Sequence, residues 1–264
     1  MHLDRHVVTF GESLMRLSPP DRLRLSQARS FELVFGGAEA NVAVSLAGFG
    51  IPVQYVTRLP DNALGKACRQ SLLQHGVGTD FIATGGDRLG IYFLEVGGGQ
   101  RPSKVIYDRA HSSFATLDEE TISWQPLFSQ AGWFNWSGIS PAVSSGAASA
   151  TSAAVSAARE AGLTISCDLN YRHNLWQWGA APAEIMPALV RQCDVLAANT
   201  AYLALGLPNL PKGRTPDEAK EACAQLATVF PNLKQITMTC RETVAGGGQR
   251  FTAVLWQAGQ HYVS

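Results

Sequence analysis

The 264-residue sequence has no excess charge of either sign: 21 lysines and arginines balance 21 aspartates and glutamates. No basic run appears along it, which argues against a nucleic-acid backbone or an acidic membrane surface as partner. Long hydrophobic runs are also missing. Residues 121–158 carry no charged side chain, but Pro126, Pro141 and many serines interrupt every apolar stretch well short of the roughly 18 residues a membrane span needs. The first residues pass directly into the strand-like 7–10 segment with neither a basic nor a long apolar leader, so a cytoplasmic protein is expected.

Cysteine is sparse and unpaired in pattern. Cys68, Cys167, Cys193, Cys223 and Cys240 are odd in number and never two residues apart, which predicts reduced core thiols. The six histidines form no metal-binding motif, so no transition-metal site is expected. Familiar phosphate loops are lacking as well. Gly65-Lys66 runs on into Ala67 and has Pro60 where a Walker loop needs glycine. Gly76-Val77-Gly78 follows a helical segment instead of a strand, and Gly97-Gly98-Gly99 and Gly246-Gly247-Gly248 read as hairpin turns. Asn135-Trp136-Ser137 fits a glycosylation sequon but falls in a predicted core strand.

What is present is alternation. Short apolar runs at 7–10, 53–58, 133–137, 164–169, 194–198 and 235–239 alternate with helical patterns at 38–48, 63–75, 144–160, 182–192 and 216–229. That order predicts an α/β fold around a mainly parallel sheet, with 46% hydrophobic residues to fill its core. Residues 12–35 and 88–110 break the pattern. Both read as antiparallel strands that form a small separate sheet, a lid over the carboxyl ends of the main strands, where open α/β sheets bind ligands.

The segment Gly36-Gly37-Ala38-Glu39-Ala40-Asn41 opens a helix whose apolar positions are Ala43, Leu46, Ala47 and Phe49. Paired glycines allow close backbone approach, and a helix N-terminus favours oxygen-rich or anionic groups. A plain glycine turn ahead of a packed helix is the simpler alternative. Asp168-Leu169-Asn170-Tyr171-Arg172 ends a strand at the predicted ligand edge, or forms a self-satisfied turn. Tyr107 and Arg109, two residues apart, project from one face of a lid strand, with Tyr92 on the neighbouring one. Cross-strand packing for the tyrosines and a solvated Arg109 are the competing reading.

Together these motifs, with Ser137-Gly138-Ile139-Ser140-Pro141, resemble the ribokinase-like carbohydrate kinases, and among them the 2-keto-3-deoxygluconate kinases. The resemblance runs over nearly the whole chain and implies a three-layer αβα fold with a β-sheet lid. It implies a single domain over 1–264, ATP and Mg²⁺ as co-substrates, a sugar acid as phosphoryl acceptor, and a homo-oligomer formed through the lid. Substrate contacts are implied for Gly36, Gly37, Asn41, Tyr92, Tyr107, Arg109 and Arg172, with Glu12 toward sugar hydroxyls. An arginine fork at Arg172 suits a carboxylate. Asp168 and Asn170 fall in the substrate and phosphate region, and Asn199, Thr239 and Arg241 on the nucleotide side.

The sequence departs from the resemblance in three places. The family's glycine-rich Gly-x-Gly-Asp segment, which supplies the anion hole and the catalytic base, does not occur in residues 1–264. The chain is therefore expected to be C-terminally truncated, without its catalytic aspartate and inactive by itself. Tyr202 stands where the family has a glutamate three residues after Asn199, and Thr239-Cys240-Arg241-Glu242-Thr243 replaces a glycine-containing turn. Two other functions stand beside the first: a kinase for a neutral sugar such as fructose, and a catalytically silent module that binds sugar acids or dimerises.

Overall fold

A computed structural model describes residues 5–98, 101–243 and 248–264. The chain gathers into two compact units, Met1–Ile122 and Ser123–Ser264. Both are mixed α/β and contain parallel strand pairs, as the alternation of apolar runs and helical patterns predicts, but the longest single ladder, Gln235–Thr243 with Gln249–Gln257, is antiparallel.

In the first unit, β1 (His6–Phe10) leads to β2 (Leu14–Ser18), β3 (Glu32–Gly36) and helix α1 (Ala38–Gly48). Then come β4 (Val53–Val56), β5 (Arg58–Leu59), α2 (Ala63–Gln74), β6 (Ala83–Thr84), β7 (Gly90–Glu95) and β8 (Lys104–Asp108). β1 pairs in parallel with β4, and α1 packs on both. The Asn62 side chain starts α2 by accepting from the Leu64 and Gly65 N–H groups, each at 3.0 Å. The buried face of α1 is Glu39, Ala40 and Ala43, whereas Phe49, expected on the apolar face, is 81% exposed. Close approach of α1 to its strands admits alanine there and turns the larger side chains outward.

Strands β3-β2-β7-β8 form a four-stranded sheet of their own. The expectation of purely antiparallel strands fails at its centre, where β2 and β7 run parallel. The crossover between them passes through α1, β4 and α2, long enough to bring the chain back in the same direction. Register and strand alternation give this sheet two different faces. Arg16, Val34, Tyr92 and Tyr107 lie in one row, while Leu17, Leu33, Phe93 and Ile106 lie in the next and point the other way. Beyond β7, Gly98 pairs with Arg101, and Gly99 of the expected hairpin lies outside the described residues.

The second unit begins with α3 (Trp124–Phe128), β9 (Ala131–Ser137), α4 (Ser140–Val143), α5 (Ser145–Glu160) and β10 (Thr164–Asp168). It continues through α6 (Pro182–Val190), β11 (Val195–Ala197), α7 (Ala201–Ala204) and α8 (Pro216–Val229) to β12 (Gln235–Thr243), β13 (Gln249–Gln257) and β14 (Gln260–Val263). β9, β10, β11 and β12 pair in parallel, and the two strands after them close antiparallel. Gly246 and Gly247 of the second expected hairpin lie outside the described residues, although Thr243 and Gln249 pair on either side of them. Alanine-rich α5, capped by the Ser144 side chain on the Ala147 N–H, is a packed crossover helix. The sequon Asn135-Trp136-Ser137 falls inside β9, with Trp136 and Ser137 buried. All five cysteines are free and buried. Among the described residues no helix is long and apolar enough to cross a membrane.

Candidate functional site

A buried polar cluster of the first unit joins the ends of β1 and β8. Glu12, 3% exposed, receives the Arg109 guanidinium on Oε2 and the Ser112 hydroxyl on Oε1 at 2.5 Å. Arg109 and Ser112 are the ends of a turn in which the Ser112 N–H donates to the Arg109 carbonyl at 3.3 Å. The third turn residue, His111, has φ of 54°, a left-handed backbone that the tight reversal requires and that L residues rarely adopt. Gly90 leaves room for the cluster: a Cβ there would stand 2.8 Å from Glu12 Oε1 and 3.0 Å from Arg109 Cβ.

Arg109 is nine-tenths buried, and its Nε has no hydrogen-bond partner among the described residues. A buried N–H without an acceptor is costly, and the Nε atoms of Arg16 and Arg58 are in the same state. The Arg109 guanidinium carbon sits 5.8 Å from the centre of the Tyr107 ring, and that ring lies 5.9 Å from Tyr92 across the strand pair. Tyr92, Tyr107 and Arg109 therefore form one patch, with Glu12 beneath it.

Gly37 precedes α1 with extended backbone, and a Cβ there would collide with the Glu12 carbonyl oxygen. The second glycine of the pair thus serves close chain approach. Gly36 and Asn41 line a cavity of about 290 Å³ together with Ser13, Ser45, Ser71 and His75. No arginine lines that cavity.

In the second unit, Asp168 closes β10 and accepts the Asn170 N–H at 3.0 Å, with Asn170 itself at φ 32°. Burial, partly opposed by that N–H and by the charge of Arg172, raises the Asp168 carboxyl above its ordinary value. Arg172 is exposed and forms no ion pair among the described residues. Asn199 and Thr239 meet across β11 and β12. The Asn199 amide donates to the Thr239 carbonyl at 2.8 Å and accepts the Thr239 N–H at 3.0 Å and its hydroxyl at 3.1 Å. Arg241 is drawn to Gln249 at 2.7 Å and over the Phe251 ring at 5.7 Å. Tyr202 carries Lys212 over its ring at 5.5 Å.

Sequence reasoning missed three groups. Ser112 had no signal, since its partner lies 100 residues away. Gly90 was not singled out. Asp194 is a buried anchor that accepts the Ile165 N–H at 2.9 Å, Lys234 at 2.9 Å and Arg159 at 3.1 Å. Burial acts to raise its carboxyl, but these partners outweigh it and hold the group below its ordinary value.

Comparison with known proteins gives a family. A family model described as pfkB family carbohydrate kinase matches residues 4–244. A 2-dehydro-3-deoxygalactonokinase of Haloferax volcanii is 38% identical over 193 residues, 73% of this chain and 60% of that protein. A 2-dehydro-3-deoxygluconokinase of Bacillus subtilis is 31% identical over 67% of this chain and 54% of its own length. This chain thus spans little more than half the length of these two curated relatives. The crystal structure of a 2-dehydro-3-deoxygluconokinase from Thermotoga maritima superposes with a TM-score of 0.90 at 38% identity, over 98% of this chain and 78% of that one.

Proposed function

The chain belongs to the pfkB family of carbohydrate kinases, and from that premise we propose a sugar kinase that transfers the γ-phosphoryl of ATP to the primary hydroxyl of 2-keto-3-deoxygluconate. The observation that carries the sugar-acid half is the Arg109 guanidinium set beside the Tyr107 and Tyr92 rings. A carboxylate would pair with its charge, and a neutral sugar would offer it a weaker acceptor. Tyr107 and Tyr92 beside it supply hydroxyls and ring faces for the carbon chain. Arg172 is a second candidate carboxylate ligand, to be tested by its own substitution. Asp168, Asn170, Gly36, Gly37 and Asn41 remain candidate contacts to the substrate.

The nucleotide half rests on family membership. ATP, with Mg²⁺ across its phosphates, would supply the phosphoryl group. The residues for it fit poorly: the Asn199 amide is bonded to Thr239 through its oxygen and one of its two N–H groups, and the described residues gather no cluster of acidic, histidine or cysteine side chains for a metal. Thr239 and Arg241 remain candidate nucleotide contacts, and no step is derived through them. Without a Gly-x-Gly-Asp segment in residues 1–264, this chain is proposed to bind the sugar acid without turnover.

The half-exposed Leu33 and Ile106 on the apolar face of the four-stranded sheet support association of two copies through that sheet. Light scattering checks this, with a monomer at all concentrations as the contrary result. Titration calorimetry with 2-keto-3-deoxygluconate and with fructose, beside an ATP-consumption assay, tests the functional reading. Binding of the acid in preference to fructose, without turnover, is expected. Preference for fructose would replace the substrate class, and turnover by the 264-residue chain would overturn its inactivity.

A further inference from the structure

We propose that Ser112 is a positioning residue of the anion site, acting through Glu12 to hold Arg109 in its receptive orientation. It follows that Glu12 serves as the anchor of Arg109 instead of binding sugar hydroxyls. The inference rests on the sugar-acid reading of Arg109.

Both carboxylate oxygens of Glu12 are occupied from one turn: Arg109 takes Oε2, and Ser112 takes Oε1 at 2.5 Å. The Ser112 hydroxyl has a defined direction. Its oxygen accepts the Ala115 N–H at 3.3 Å, so its single hydrogen is left for Glu12. Ser112 is 1% exposed and Glu12 3%, so no solvent competes for either bond. With Oε1 held, Oε2 has one place to be, and the guanidinium bonded to it is fixed with Nε unpartnered. The left-handed His111 between them is the backbone cost of putting both turn ends on one carboxylate. Removing the hydroxyl frees one carboxylate oxygen to rotate and to compete with an incoming anion for the Arg109 guanidinium.

The test is calorimetric titration of the 264-residue chain with 2-keto-3-deoxygluconate and with its uncharged amide. Wild type, Arg109→Ala, Ser112→Ala and Ser112→Thr are compared, with thermal midpoints recorded. Ser112→Ala is expected to weaken acid binding about tenfold, as for one hydrogen bond to a charged group. The amide should be unaffected, and Ser112→Thr, which keeps the hydroxyl, should restore most of the loss. Where Ser112→Ala does not fold, Ser112→Cys takes its place, with similar size and a weaker donor. Unchanged acid affinity in Ser112→Ala, or equal loss for acid and amide, overturns the positioning role. Unchanged acid affinity in Arg109→Ala defeats the sugar-acid reading itself, a result separable from the first.

Discussion

Arg109 and Arg172 have the same side chain in opposite settings. Arg109 is nine-tenths buried and tied to a carboxylate 97 residues away, with a neighbouring turn to hold that carboxylate still. Arg172 is exposed at a strand-end loop, and its charge acts on a residue four positions back. The first has its entropy and desolvation costs met during folding; the second keeps its freedom until a ligand arrives. On the proposed reading, specificity belongs more to Arg109 and adaptability more to Arg172.

The largest expected effect separates the two arginines by stability. Glu12→Ala leaves Arg109 buried without its counter-ion and should cost about 3–5 kcal/mol in urea unfolding. Arg172→Ala should fall within about 0.5 kcal/mol of wild type. Equal losses would erase the contrast. Gly90→Ala intrudes on Glu12, Leu14 and Arg109 and should cost about 1–3 kcal/mol, read from the same unfolding curves.

The aspartates of the second unit sharpen the contrast between fixed and open groups. Asp194 is held below its ordinary value, so its stabilisation is complete above the ordinary aspartate range and fades as pH falls through the lowered value. Asp168 is raised, so its ionisation costs stability as pH climbs from the ordinary value through the raised one. Asp194→Asn should destabilise at neutral pH and flatten the acid limb, whereas Asp168→Asn should stabilise slightly. Urea midpoints from about pH 3 to about pH 7 distinguish the two signs. The smallest effect is at the turn: His111→Gly relieves a left-handed backbone and should gain about 1 kcal/mol in thermal unfolding without loss of acid binding.

Much of the fold was legible because it is local. Helices 38–48 and 216–229 have the bounds their composition predicts, and the parallel strands follow from apolar runs separated by helical patterns. The strands at 14–18, 32–36, 90–95 and 104–108 could be foreseen, but not the parallel pairing of β2 with β7, because pair order leaves no trace in a single strand's residues. At the site, Tyr107 and Arg109 were placed on one face by their spacing alone. Glu12 was read as a contact to sugar hydroxyls, since nothing near residue 12 announces a partner at 109 or 112. Phe49 was misjudged because spacing shows which positions share a helix face and not how near that face lies to its neighbours.

The most direct measurement is the affinity of the chain for 2-keto-3-deoxygluconate against that for its uncharged amide, in wild type and Arg109→Ala. A prepared Arg109 predicts that wild type favours the acid by at least about tenfold and that the substitution abolishes most of that preference. Equal affinities in wild type, or a preference that survives in Arg109→Ala, would contradict it.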